Sequence, residues 1–147
     1  MTSRVALLLA VAVLAGCGGD DDSGSSSPPP AESTRCEAAT AAIMTPLANS
    51  LENERDRLKN GQVVKSRDHE DIYFISAELD GPGFQGPGDI ATWATTSPGG
   101  AEAIYSVGPL AKRHTSWRDG TAIAGLSLED DGALESRTCV EELTAAS

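Results

Sequence analysis

The sequence is poor in the residues that most enzymes use for catalysis. It has only two histidines and three cysteines in 147 residues. It contains none of the patterns G-x-S-x-G, H-E-x-x-H, S-x-x-K or C-x-x-C. These patterns mark serine hydrolases, zinc peptidases, β-lactamase-like enzymes and thiol redox proteins. The sequence therefore offers little for an enzyme to work with, and we predict no cofactor and no metal site.

Basic residues and long apolar runs are also scarce. Eleven Lys and Arg face 22 Asp and Glu, which gives a formal net charge of -11. So acidic a chain is not expected to bind nucleic acid or an anionic lipid surface through its net field. The longest apolar run covers residues 5–15. It is too short for a permanent membrane span, which needs about 20 residues.

This short apolar run ends in the most informative motif of the chain. Arg4 supplies a positive start, the apolar run follows, and Leu14-Ala15-Gly16-Cys17 closes it. Such an order is typical of a secretory signal. With small residues directly before a cysteine, it resembles the lipobox of bacterial lipoproteins. The resemblance implies thioether lipidation of Cys17, with palmitate among the acyl chains, and cleavage before it. The simpler alternative is a secreted protein with a chance cysteine.

Composition then divides the rest of the chain. We expect residues 1–16 to be the lipoprotein signal peptide. Residues 17–32 are rich in Gly, Ser, Asp and Pro, with almost nothing to bury, and predict a disordered tether. Residues 33–147 are long enough for a single domain with a core of its own.

Helical signals stand at the start of this domain. Thr34-Arg35-Cys36-Glu37 fits a capping box, and an alanine-rich stretch follows. Pro46 either kinks this helix or splits it in two. Leucines at helical spacing extend the predicted helix, and Asn60-Gly61 is expected to form its C-terminal end.

Beyond residue 61 the pattern favours strands and then a last helix. β-Branched and aromatic residues predict four strands with short links, which implies an antiparallel meander over residues 63–65, 72–79, 90–96 and 103–107. A Ser-Pro-Gly-Gly turn joins the last two. Residues 110–114 predict a short helical turn. Residues 121–126 predict either a fifth strand at the edge of the sheet or a loop. Ala133, Leu134, Val140 and Leu143 supply the apolar face of a final helix of roughly 12 residues.

Together these elements predict an α+β fold: an antiparallel sheet of four to five strands with the N- and C-terminal helices packed on one face. Lipidation would consume Cys17, and export would place Cys36 and Cys139 in an oxidising compartment. We therefore predict a Cys36–Cys139 disulfide that staples the two terminal helices side by side.

Three features are candidates for a site. Gly81, Gly83, Phe84 and Gly86 belong to a Gly/Pro loop between strands. This loop carries the letters G-x-G-x-x-G but lacks the helix that a nucleotide site requires, so we expect at most a partner-binding loop. His69 stands among carboxylates in a predicted hairpin tip, and His114 stands beside two basic residues. Both are expected to be solvated or to balance nearby charges.

The lipobox, the alanine-rich helix and the two-cysteine frame resemble small lipoproteins of high-GC Gram-positive bacteria. The resemblance implies a location on the extracytoplasmic side of the cell membrane, held there by the lipid on Cys17. We expect a non-catalytic module that binds an envelope protein or a small molecule. The alternative is an envelope enzyme with a His-carboxylate site around His69 or His114.

Overall fold

The computed structural model describes residues 35–86, 88–99 and 102–147. The lipobox, the tether, Thr34 and Gly100 therefore lie outside the described residues. Within the described part, no helix combines the length and the apolar character that crossing a membrane requires.

A six-stranded mixed sheet forms the centre of the fold. The strands are β1 (Glu37–Ala38), β2 (Arg57–Lys65), β3 (Tyr73–Asp80), β4 (Ile90–Thr95), β5 (Ile104–Ser106) and β6 (Arg118–Asp119). They lie in sequence order, and every neighbouring pair is antiparallel except β5 and β6, which are parallel. The predicted α+β class and the four-strand meander are confirmed. The prediction of four to five strands missed the two edges, because two-residue strands leave no periodic pattern in a sequence.

Four helices accompany the sheet: α1 (Ala41–Asn49), α2 (Pro109–His114), α3 (Gly120–Ala124) and α4 (Asp131–Ala145). The short helix after Gly108 is confirmed as α2. Residues 121–126 form neither a strand nor a simple loop. Instead, Asp119 caps α3 by accepting from the N–H groups of Thr121 and Ala122, and Gly125 ends it in the left-handed region.

The predicted first helix is too long at both ends. Cys36 and Glu37 are not helical, since Glu37–Ala38 is an edge strand on β2. The helix begins after Thr40 and contains Pro46 without being split by it. It ends at Asn49, where Ser50 donates its N–H and its hydroxyl to helical carbonyls. The later leucines of the predicted helix serve other elements, and Leu58 lies in β2.

Asn60-Gly61 is a β-bulge rather than a helix stop. Lys59 pairs with Glu78 and Gln62 with Ser76, so two residues of β2 stand opposite one of β3. Asn60 has a φ of 54°, which asparagine tolerates well. A Cβ on Gly61 would lie 2.5 Å from Sδ of Met44, so glycine also lets α1 approach the sheet.

The two main helices lie on opposite faces of the sheet, which corrects the one-face prediction. Neighbouring residues of a strand point to opposite faces. On β3, Ile75 belongs to the core that contains Ile43 and Leu47 of α1. Phe74 belongs to the core that contains Ala133 of α4. We call these the α1 face and the α4 face.

Helix α4 buries a different stripe from the expected one. Ala133 and Val140 are fully buried as predicted, but Leu134 and Leu143 are 52% and 43% exposed. The contact instead uses small residues, since a Cβ on Gly132 would lie 2.8 Å from Cδ2 of Phe74. The backbone of α4 thus approaches the sheet more closely than a leucine stripe permits.

The Cys36–Cys139 disulfide is present, with 6.5 Å between the Cα atoms and a sequence separation of 103. It does not join two side-by-side helices. Cys36 directly precedes the edge strand β1, and Cys139 lies in α4 with 5% of its surface exposed. The bridge therefore fastens one edge of the sheet to the helix that covers the α4 face.

Candidate binding groove at Asp56

Among the grooves formed by described residues, one contains a buried aspartate. This groove of about 370 Å³ lies between the end of α1 and the start of β2, and its lining includes Asn49, Leu51, Asn53, Glu54, Asp56 and Arg57. Asp56 is only 6% exposed. Acidic residues are almost never fully buried unless they are paired, so this side chain marks the groove as unusual. We call it the Asp56 groove.

The local sequence explains how the Asp56 groove is shaped. The Asn53 side chain accepts a hydrogen bond from the N–H of Arg55 at 3.1 Å, an Asx turn that bends the chain after α1. The N–H of Asp56 donates to the carbonyl of Asn53 at 2.9 Å, which closes the turn. Nδ2 of Asn53 then donates to Oδ1 of Asp56 at 3.1 Å. The turn thus holds the carboxylate in place with one hydrogen bond.

Gly81, from the loop predicted to bind a partner, stands directly behind this carboxylate. A Cβ on Gly81 would lie 2.3 Å from Oδ1 of Asp56, so only glycine permits this approach. Gly83 lies in the same loop and has open space around its Cα. The structure thus brings the loop and the groove together, although nothing in it tests binding by either.

Phe84 closes the same loop against the α1 face. It is half-buried beside that core, and its ring meets the ring of His114 edge-on with centroids 5.0 Å apart. Gly86 has a φ of 114°, which favours glycine at the end of the loop. The carbonyl of His114 accepts the N–H of Glu52 at 3.0 Å, so the same histidine also anchors the chain next to the Asp56 groove.

His69 belongs to a separate polar cluster at the start of α4. Its Nε2 lies 3.1 Å from Oδ2 of Asp130. Asp68 accepts the N–H of Asp131 at 3.0 Å, and Asp131 accepts the N–H of Arg67 at 3.0 Å. These contacts fasten the β2–β3 loop to the first turn of α4.

Arg35 joins this cluster from the chain's first described residues. Its guanidinium lies 2.8 Å from Asp131 and also pairs with Glu135. Burial works against the charge of Arg35, but hydrogen bonds to Glu135 and Asp131 outweigh it and raise the pKa of Arg35. For Asp131, burial favours the neutral acid. The N–H of Arg67 and the Arg35 guanidinium outweigh it, so the pKa of Asp131 lies below its ordinary value.

Two further grooves are also formed by described residues. One, of about 350 Å³, is lined by Arg35, Glu37, Lys65, Tyr73 and neighbouring residues. There Arg35 is held by two carboxylates, and the Lys65 ammonium lies 5.8 Å from the Tyr73 ring centroid. The other, of about 260 Å³, flanks the disulfide. Neither histidine lines any of the three grooves.

The aromatic side chains of the central strands do not share one face of the sheet. Phe74 and Trp93 are both fully buried, but they belong to the α4 face and the α1 face respectively. In the described ranges, no group of three or more His, Cys, Asp or Glu side chains is placed to hold a metal ion. Sequence reasoning missed Asn53, Asp56 and Arg57, because it assigned this stretch to the long first helix, with Asp56 and Arg57 on its solvent-facing side. The spacing Asn-x-x-Asp, typical of a turn, was the available signal.

Comparisons of the chain with models of known protein families, with curated proteins and with solved structures found no match. The function must therefore be argued from this chain's own residues.

Proposed function

We propose that this chain is a lipid-anchored extracytoplasmic module that binds its ligand non-catalytically in the Asp56 groove. The lipobox Leu14-Ala15-Gly16-Cys17 supports the location. The observation that carries the binding role is an aspartate, Asp56, that is only 6% exposed and lines a groove of about 370 Å³. Ligand sites are typically concave, with a few precisely placed polar groups, and about 300 to 1,000 Å³ in volume.

The anchor is tested by Cys17→Ala. Without the thiol there is no nucleophile to take the diacylglycerol, so we expect no incorporation of labelled palmitate and no lipoprotein cleavage. The variant should be released or remain uncleaved, whereas a Cys139→Ala control should still take up label. A Cys17→Ala protein that is processed and membrane-held like the wild type would remove the lipoprotein proposal.

The binding role is tested by hydrogen exchange on the mature chain with and without an extract of envelope small molecules and proteins. A ligand in the groove slows exchange of the amides that surround it. We expect protection over residues 49–57, with residues 118–125 at the far edge of the sheet as an internal control. Equal exchange of both segments with and without extract would contradict a ligand in this groove.

The alternative, an envelope enzyme, has one observation in its favour. His69 lies 3.1 Å from Asp130, as a catalytic histidine and its orienting carboxylate would. The same carboxylate also accepts the N–H of Ser127 at 2.9 Å, and such contacts serve equally to close a loop on a helix. In His69→Gln, an enzyme would lose turnover of its substrate, whereas a module that binds in the Asp56 groove would keep the protection of residues 49–57.

A further inference from the structure

The Asp56 groove contains charges of both signs that no described partner neutralises. Ion pairs within 4.0 Å occur elsewhere among the described residues, for example between Lys59 and Asp80. None of those recorded in this part of the chain includes Glu54, Asp56 or Arg57. The groove therefore presents two carboxylates and one guanidinium that are not paired with one another.

The carboxylate of Asp56 has one oxygen left for a ligand. Oδ1 accepts from Asn53 and is backed by Gly81. Within the described ranges, no group donates to Oδ2. Oδ2 is not among the fully buried, unpaired side-chain atoms of the described residues, so it is reached from the open groove. An ammonium group with three N–H donors can donate to it there. The adjacent Glu54 offers a second acceptor to the same cation.

Arg57 supplies the opposite charge in a fixed position. Its Nη1 donates to the backbone carbonyls of Glu54 at 2.5 Å and Asp56 at 2.7 Å. The guanidinium is thus held by the chain that forms the groove, while Nε and Nη2 are not used in these contacts. A planar guanidinium edge matches a carboxylate in bidentate geometry.

We propose that the Asp56 groove binds a small zwitterion with a free ammonium and a free carboxylate, that is, an amino acid or a short peptide. The ammonium lies against Asp56 and Glu54, and the carboxylate against Arg57. This inference rests on the proposed binding role of the groove and names its ligand class. A volume of about 370 Å³ is near the lower end for ligand sites, which suits a ligand of one or two residues.

Other ligand classes fit the charges less well. A phosphate would meet two carboxylates for one guanidinium. A metal ion needs several oxygen, nitrogen or sulfur ligands converging on one point, and no such group of side chains occurs among the described residues. An uncharged sugar would leave Arg57 and Asp56 without charged partners.

The test uses the mature chain with Cys17→Ser, isotopically labelled, and three probes in amide NMR titrations: L-alanyl-L-alanine, its C-terminal amide and its N-acetyl derivative. We expect saturable shifts at residues 49–57 and Gly81 with the free dipeptide. Each cap removes one charge-assisted contact and should weaken binding by about tenfold. Equal binding of all three, shifts centred on Lys65 and Tyr73, or no saturable shift would each overturn the proposal.

Two variants assign the ends of the ligand. Arg57→Gln should abolish the preference for the free dipeptide over its amide, and Asp56→Asn should abolish the preference over the N-acetyl derivative. The matched controls are Arg55→Gln, two residues earlier and exposed, and Asp71→Asn, an exposed carboxylate in the β2–β3 loop. They should leave both preferences intact, and controls that behave like the groove variants would overturn the assignment.

The variants also separate this proposal from the proposed function. If Asp56→Asn fails to fold, Arg57→Gln still tests the ligand class. Arg57 is exposed, and comparing the binding of the free dipeptide with that of its C-terminal amide requires no change at Asp56. Protection of residues 49–57 by the envelope extract, without binding of the dipeptide, would overturn the ligand class and leave the binding role standing. If neither protection of residues 49–57 nor binding of the dipeptide is observed, both the binding role and the ligand class are overturned.

Discussion

The two faces of the sheet are held by different kinds of interaction. On the α1 face, Ile43, Leu47 and Trp93 are all 0% exposed and share one apolar core. On the α4 face, a smaller apolar cluster is supplemented by buried hydroxyls, a close backbone approach and the disulfide. Apolar burial is non-directional, whereas hydrogen bonds and a covalent bridge fix one position of α4 on the sheet. The α1 face thus provides most of the burial, and the α4 face provides precise placement of the helix.

The largest expected effect is loss of the bridge on the α4 face. In Cys36→Ala/Cys139→Ala, release of a loop of about 100 residues should lower the free energy of unfolding by about 4 kcal/mol in the chain-entropy model. Urea unfolding of the mature chain measures it. A loss well under 1 kcal/mol would show that the α4 face does not depend on its staple.

The next effect concerns the α1 face. Leu47→Ala removes a fully buried side chain and should cost about 3 kcal/mol through lost burial and the cavity left behind. Leu134→Ala is the matched control, since Leu134 is 52% exposed on α4 and should cost little. Similar unfolding midpoints for both variants would contradict the assignment of the main core to the α1 face.

A smaller effect tests the hydroxyl network of the α4 face. Oγ of Ser76 lies 2.8 Å from Oγ of Ser136 and 3.0 Å from Oγ1 of Thr92, with all three residues fully buried. Ser136→Ala leaves Ser76 with one partner and should cost about 1 kcal/mol. Thr138→Ala, exposed on the same helix, should change stability by less. Equal effects would show that the network does not position α4.

The smallest effect depends on pH. Because the folded-state pKa of Asp131 is lowered, its contribution to stability is present above the unfolded pKa of about 3.9 and is lost as pH falls through the folded value. Asp131→Asn should therefore cost no more than about 1 kcal/mol at pH 7. The difference from the wild type should shrink toward pH 2 in urea unfolding curves. Glu141→Gln, exposed on α4, serves as the control, and a difference that grows on acidification would contradict the prediction.

How far the sequence could predict the fold depended on the element. The central strands carry β-branched and aromatic residues on both faces, so their existence and their antiparallel order were evident from local pattern. The region from Leu47 to Gly61 was assigned to a helix because its leucines recur at helical spacing. In the fold, Leu47 lies near the end of α1, Leu51 forms a bridge with Thr115 and Leu58 lies in β2, and all three leucines contact the core of the α1 face. Tertiary contacts override such weak local preferences.

The sequence by itself determined the α+β class, the meander and the pairing of the two domain cysteines, because these depend on composition and on periodic patterns along the chain. It also contains the lipobox, whose consequences remain predictions. Only the tertiary structure decided that α1 and α4 lie on opposite faces and that Asp56 is buried behind Gly81. These two residues are 25 positions apart, and no local pattern records that a strand end and a loop meet there. The candidate groove arises from that meeting, where the chain's packing buries an aspartate that the sequence alone places on a solvent-facing helix surface.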